Sequence, residues 1–157
     1  INLINLGTVE YNEENYETAY RNFAKSLLTA QDLGNKTLIS CSLDGLAAVA
    51  VCCGKAEQSA HLAGAAENLR KSIGYEIEPT EKIFRDSYVT KIRNILDEKS
   101  FNDAFEKGLE FSLREGFITA SKLNSEDFIN AESSEIIIEK HIFERIIIEE
   151  EFEKDES

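Results

Sequence analysis

Tyr16–Asn35, YETAYRNFAKSLLTAQDLGN, is the stretch whose reading decides the fold class. Ala19, Phe23, Ser26–Leu27 and Ala30 recur at i, i+4, i+7 and i+11, which lines one face of a helix with small and apolar side chains. Gly34-Asn35 closes it, because both residues tolerate the left-handed cap conformation. Upstream, the polar turn Asn12-Glu13-Glu14-Asn15 separates this helix from a first one over Asn2–Tyr11, with Leu3, Leu6 and Val9 on its apolar side. Downstream, a third helix is predicted over Thr37–Cys53, stopping at Gly54, and a fourth over Ala56–Ile73, stopping at Gly74. Tyr75–Pro79 reads as extended, since the residue before a proline avoids the helical region. Thr80 is the predicted N-cap of a fifth helix ending near Leu96. Ser100 with Asp103 suggests a capping box for a sixth, ending near Glu110. Ser112-Leu113-Arg114-Glu115 fits the S-x-x-E box and opens a seventh, ending near Leu123. No segment of this body alternates like a strand, so it is predicted to be all-α.

The 157 residues carry 30 acidic and 17 basic side chains, a formal net charge of −13. Residues 1–125 hold 18 acids and 14 bases, net −4, whereas residues 126–157 hold 12 acids and 3 bases, net −9. The acidity therefore belongs mainly to a tail. Such a balance argues against binding nucleic acid, which needs clustered Lys and Arg to neutralise phosphates, and against an anionic membrane surface. The longest apolar run, Leu46–Cys53, has eight residues, far short of the roughly 20 a membrane helix needs. A hydrophobic fraction of 42% is too high for a wholly disordered chain. The chain has no Met and opens on Ile1, which reads as a piece of a longer protein. Cys41, Cys52 and Cys53 form neither a disulfide framework nor a C-x-x-C motif, so reduced thiols in a cytoplasmic protein are the economical expectation.

Internal repetition is visible forty residues apart. Leu6-Gly7 aligns with Leu46-Ala47, Ala19 falls near Ala60, and Phe23 falls near Ala63-Gly64. Small residues at these places let antiparallel helices approach, while Leu and Phe fill the gap between them. Leu6-Gly7, Tyr16, Ala19 and Phe23 resemble a tetratricopeptide repeat. The departures are Glu14 where a small turn residue is usual, Gln31 where a proline often closes the repeat, and a period longer than the usual 34 residues. The second unit keeps Leu46, Ala47, Gly54 and Ala60 without an aromatic filler. Further on, Leu62–Arg70, Gly74, Pro79, Glu81, Phe101, Ala104-Phe105, Gly108 and Ser112–Glu115 resemble the C-terminal end of bacterial multidomain signalling proteins. In those, a STAND-type ATPase core precedes tetratricopeptide-like repeats, behind DNA-binding, nucleotide-cyclase or protein-kinase domains. The resemblance spans residues 1–123. It implies an α-α superhelix of antiparallel hairpins: two hairpins over 1–74, a helical cap over 75–123, and a tail over 124–157 outside the resemblance.

No pattern of residues carries catalysis. Gly54-Lys55 is no phosphate loop, because Val49 and Ala56 occupy the positions that need Gly and a hydroxyl. His61 follows Glu57 by four residues, a possible carboxylate–imidazole pair, but two residues do not make a zinc site. His141 has no visible partner, and no G-x-S-x-G elbow occurs. No catalytic, cofactor or metal residue is assigned, and the chain is expected not to be an enzyme.

What the resemblance implies is a partner-binding concave face built from the first helix of each repeat. Mapped through Leu6-Gly7, its outward positions are Thr8, Tyr11 and Asn12. Mapped through Leu46-Ala47, they are Asp44, Ala48, Val51 and Cys52. Two readings stand for these residues: contact with a peptide or a partner protein, or packing against upstream domains of the same chain. In the tail, Ile136–Ile138 and Ile146–Ile148 admit a short amphipathic helix, favoured here, or a two-stranded pairing; the Glu-flanked isoleucines suit a docking role, and a partly disordered acidic extension is the alternative. The expected function is thus a non-catalytic interaction scaffold, the terminal repeat arm of a bacterial signalling or transcriptional regulator. The regulatory end of a cyclase or kinase is the alternative.

Overall fold

A computed structural model describes residues 2–123. The expectations for residues 124–157, whether helix, hairpin or docking segment, lie outside the described residues. Several helix ends have a local cause. Asn2 Oδ1 accepts the Ile4 N–H at 3.0 Å and starts α1, Leu3–Asn12. After one polar turn comes α2, Tyr16–Leu33, which stops at Gly34 with φ +63°. Asn35 Oδ1 takes the Leu38 N–H at 3.1 Å and opens α3, Lys36–Cys52. α4, Ala56–Ile73, stops at Gly74 with φ +66°. α5 spans Pro79–Ile95, α6 Glu98–Leu109 and α7 Leu113–Lys122. Among the described residues there are seven helices and no strand.

The forty-residue offset is geometric as well as sequential. α2 and α4 each have 18 residues and start forty positions apart. Their left-handed stops, Gly34 and Gly74, share the offset, as do the turn residues Glu14 (φ +63°) and Gly54 (φ +81°). Glu14 is an L-residue with a side chain in a conformation that costs such residues about 1–2 kcal/mol. The departure from a small turn residue noted in the sequence therefore carries backbone strain.

Two predicted starts are corrected. α5 is capped not by Thr80 but by Glu78, extended at φ −72°, ψ 154°, with Pro79 as the first helical residue. Proline suits that position because the N–H it lacks would have no intrahelical partner, and the Glu81 carboxylate accepts the Glu78 N–H at 3.0 Å. α6 starts earlier than Ser100: Asp97 Oδ1 accepts the Ser100 N–H at 2.7 Å. Asp103 instead pairs with Lys99 at 3.1 Å. The Ser112–Glu115 box forms as read, with Ser112 Oγ accepting the Glu115 N–H at 3.2 Å.

α3 is the hub. From Ser42 to Val51 every residue is buried, a pattern of a helix surrounded on all sides, and α1, α2, α4, α5 and α7 all touch it. Phe23 of α2, fully buried, holds α1 and α3 apart. Its ring lies so close to both that a Cβ on Gly7 would come within 2.7 Å of it and one on Gly45 would meet it closer still. In the second hairpin the aromatic filler is absent, and backbone does its work. Gly64 of α4 and Gly108 of α6 let the two helices touch: a Cβ on Gly64 would lie 2.8 Å from the Leu109 nitrogen, and one on Gly108 2.8 Å from the His61 carbonyl carbon. α6 and α7 thereby close the side of α4 that α3 leaves open.

Candidate functional site: the groove under the fifth helix

The face that α1 and α3 present together is the one the sequence marks for a partner. The structure lays α5 along it. Successive residues of α5 meet successive residues of α3, so the two helices run in the same direction. Glu81 Oε1 accepts from Cys41 Sγ at 3.3 Å. Arg85 and Tyr88 reach Asp44. Lys91 Nζ donates to Tyr11 Oη at 2.8 Å and approaches Cys52 Sγ at 3.7 Å. The Phe84 ring, between these, stands 5.4 Å from Tyr11, 6.4 Å from Phe23 and 5.9 Å from Tyr88, centroid to centroid.

Asp44 anchors this arrangement. It is 6% exposed and accepts from Arg70 Nη1 and Arg85 Nη1, both at 2.5 Å, and from the Tyr88 hydroxyl. Arg85 Nη2 also donates to the Ala63 carbonyl at 3.0 Å, and Glu67 lies 3.3 Å from Arg70 and 3.5 Å from Arg85. Two carboxylates face two guanidiniums, so the cluster is charge-balanced, and it links α3, α4 and α5. Burial raises the Tyr88 pKa well above its ordinary value, and the Asp44 charge adds to this, so the phenol remains a donor. Such a cluster is a weak source of net stability but a strong one of position, because a buried charge left without its partner costs several kcal/mol.

The sequence-derived partner residues therefore fall in three places. Tyr11, Asp44, Ala48 and Val51 are buried, not outward, because α5 covers the face they line. Cys52 is half-buried beside Lys91. Asn12 is exposed, and Thr8 is half-buried, its hydroxyl donating to the Ile4 carbonyl at 2.9 Å. Thr8 borders what remains open of the groove, a cavity of about 320 Å³ beyond the start of α5, lined also by Asn5, Thr37, Leu38, Glu78 and Phe84. Arg70, Arg85 and Tyr88, the residues that occupy the groove's centre, were missed by the sequence reading. Their signal is an unusual one: Arg85 interrupts an apolar stripe running through Phe84, Tyr88 and Ile92, and Asp44 interrupts the apolar run of α3. A charge inside an apolar stripe needs a partner of opposite sign.

The remaining chemically capable groups are held in quiet states. Burial, then the Glu81 carboxylate, pushes the Cys41 thiol up to about 12. Burial and the Cys52 hydrogen bond push the Tyr11 phenol above its ordinary value. His61 Nε2 stands 3.9 Å from Glu57 Oε1. Among the described residues no group of three or more His, Cys, Asp and Glu side chains is gathered to hold a metal ion, and no helix is long and apolar enough to cross a membrane. No family model, curated protein or solved structure matches the chain.

Proposed function

We propose that the chain is a non-catalytic protein–protein interaction module, a tetratricopeptide-like end of a helical-repeat arm from a bacterial signalling or transcriptional regulator. One observation carries this reading: the two ends of the helical stack are finished differently. At the α4 end, α6 and α7 cover the last hairpin, burying Phe101, Ala104, Phe117 and Ala120 while Asn102, Asp103, Glu106 and Lys107 face water. That is the polar outer face a terminal repeat needs. At the α1 end, Leu6 and Val9 stand 42% and 51% exposed on one helix, spaced to share a face. An apolar strip on a repeat helix is where a further repeat or a partner helix packs. With the centre of the groove filled by α5, the α1 face is a surface left for association.

The reading is tested by capturing bound protein from bacterial lysate on the immobilised chain, with Leu6→Asp/Val9→Asp as the control. A discrete partner retained by the wild type and lost by the variant supports it. Identical background from both chains contradicts it.

A further inference from the structure

A second surface, remote from the groove, has a different chemistry. α4, α6 and α7 converge on a cavity of about 500 Å³ whose lining includes His61, Lys107, Phe111, Ile118 and Lys122, with Lys55 also on its wall. Its placement follows from the glycine contact already described: Gly108 seats α6 on the backbone of His61, which sets Lys107, one residue earlier, beside the imidazole. Phe111, in the middle of the α6–α7 connection, stacks obliquely on the His61 ring, with centroids 5.4 Å apart.

Three features distinguish this cavity from an ordinary surface dent. First, its lining is cationic in a chain whose net charge is −13. The one lining carboxylate, Glu115, is turned toward the start of α7, where it accepts from Ser112 N at 3.4 Å and Ser112 Oγ at 3.2 Å. Second, Lys107 and Lys122 make no ion pair or hydrogen bond among the described residues, although acidic side chains are plentiful. Both lie in the last turn of their helices, where a cation is favoured by the helix dipole. Third, His61 is 8% exposed and its buried Nε2 has no hydrogen-bond partner among the described residues, the Glu57 carboxylate standing off at 3.9 Å. A buried polar atom left unpaired costs about 1–3 kcal/mol, a cost a bound acceptor removes.

We propose that this cavity binds a small phosphomonoester, its phosphate held by Lys107, Lys122 and His61 and its apolar body against Phe111 and Ile118. Two lysines match the charge of about −1.5 to −2 that a phosphomonoester carries near pH 7, and the volume falls in the range of small-molecule pockets, roughly 300–1,000 Å³. The apolar wall separates an organic phosphate from the inorganic ion: only the former gains from it. Binding is linked to protonation. Burial, and then the Lys107 charge, lower the His61 pKa, while Glu57 opposes them. The other charged groups around the ring are Asp103 of α6 and Glu115 and Lys122 of α7, with Lys55 just before α4. A dianion against the imidazole adds negative charge, so the bound ligand raises the His61 pKa.

The test is calorimetric titration of the full chain with phenyl phosphate, inorganic phosphate and phenol, together with proton NMR of the two histidine rings. Phenyl phosphate is expected to bind about tenfold more tightly than inorganic phosphate, phenol not to bind, and the His61 resonance, assigned by its loss in His61→Gln, to titrate at higher pH when phenyl phosphate is present. Lys107→Gln/Lys122→Gln, two exposed side chains whose loss leaves the fold intact by circular dichroism, is expected to weaken binding at least tenfold. The proposal is overturned if phenyl phosphate does not bind, if it binds no better than inorganic phosphate, or if the double variant binds it as well as the wild type.

Discussion

Replacing Asp44 with Asn removes one charge and almost no volume, and its consequence can be worked from the groove. The carboxylate accepts from Arg70 and Arg85 at 2.5 Å each and from Tyr88. An amide offers one oxygen where there were two and turns an N–H group toward a cation. Arg70 and Arg85, 4% and 9% exposed, are then left with half-buried Glu67 as their anion at 3.3 and 3.5 Å. Breaking a buried pair in this way costs about 3–5 kcal/mol, a large share of the roughly 5–15 kcal/mol that stabilises a domain. At roughly 2–4 °C per kcal/mol for a chain of this size, Tm falls by about 6–20 °C. Thermal unfolding followed by circular dichroism at 222 nm measures it. The control is Asp86→Asn, whose partner Lys82 is at a similar distance, 2.6 Å, but with both side chains 62% exposed; there the loss is within about 1 kcal/mol. Adding Arg85→Gln to Asp44→Asn costs less than the two changes summed, because the second removes a charge the first had stranded. The reasoning is refuted if Asp44→Asn behaves like Asp86→Asn.

Three further outcomes follow from the packing. Gly108→Ala places a methyl group against the His61 backbone; because backbone cannot rotate away, it destabilises by about 1–3 kcal/mol, measurable by urea unfolding, and Gly64→Ala behaves alike. Glu14→Gly relieves the left-handed strain at φ +63°, offset partly by glycine's unfolded-state entropy, for a gain of about 0.5–1 kcal/mol in the same assay. The His61 pKa is lowered in the folded state, first by burial and then by Lys107, so the folded chain binds fewer protons than the unfolded one below the ordinary value of 6.5. Its contribution is therefore present above that value and lost as pH falls through the folded-state pKa. Urea midpoints measured between pH 7.5 and 5 should fall more steeply for the wild type than for His61→Gln.

The helices of the two hairpins were legible because their signals are local. Ala19, Phe23 and Ala30 mark the buried face of α2, and Gly34 and Gly74 mark the stops, all within a few residues of the structure they specify. The starts of α5 and α6 were harder, since Glu78 and Asp97 cap as well as the Thr and Ser that follow them, and the choice depends on which backbone turns extended. The candidate surface was half legible. Thr8, Tyr11, Asp44, Ala48, Val51 and Cys52 do lie on or beside one face, but nothing near Asp44 in sequence announces that Arg85, 41 residues on, comes from the same chain to meet it. Local pattern reports which side of a helix is covered; what covers it is a tertiary fact. The anionic-ligand cavity was illegible for the same reason, because Lys107 and Lys122 acquire meaning only once Gly108 sets α6 against His61.

In this structure α5 is an integral occupant of the groove. Native-state hydrogen exchange measures this directly. The amides of Arg85, Tyr88 and Ile92 should exchange with the same opening free energy as those of Leu46 and Val49 in α3, because the cluster makes them one cooperative unit. Exchange of the α5 amides through a much cheaper local opening, with α3 still protected, would contradict it.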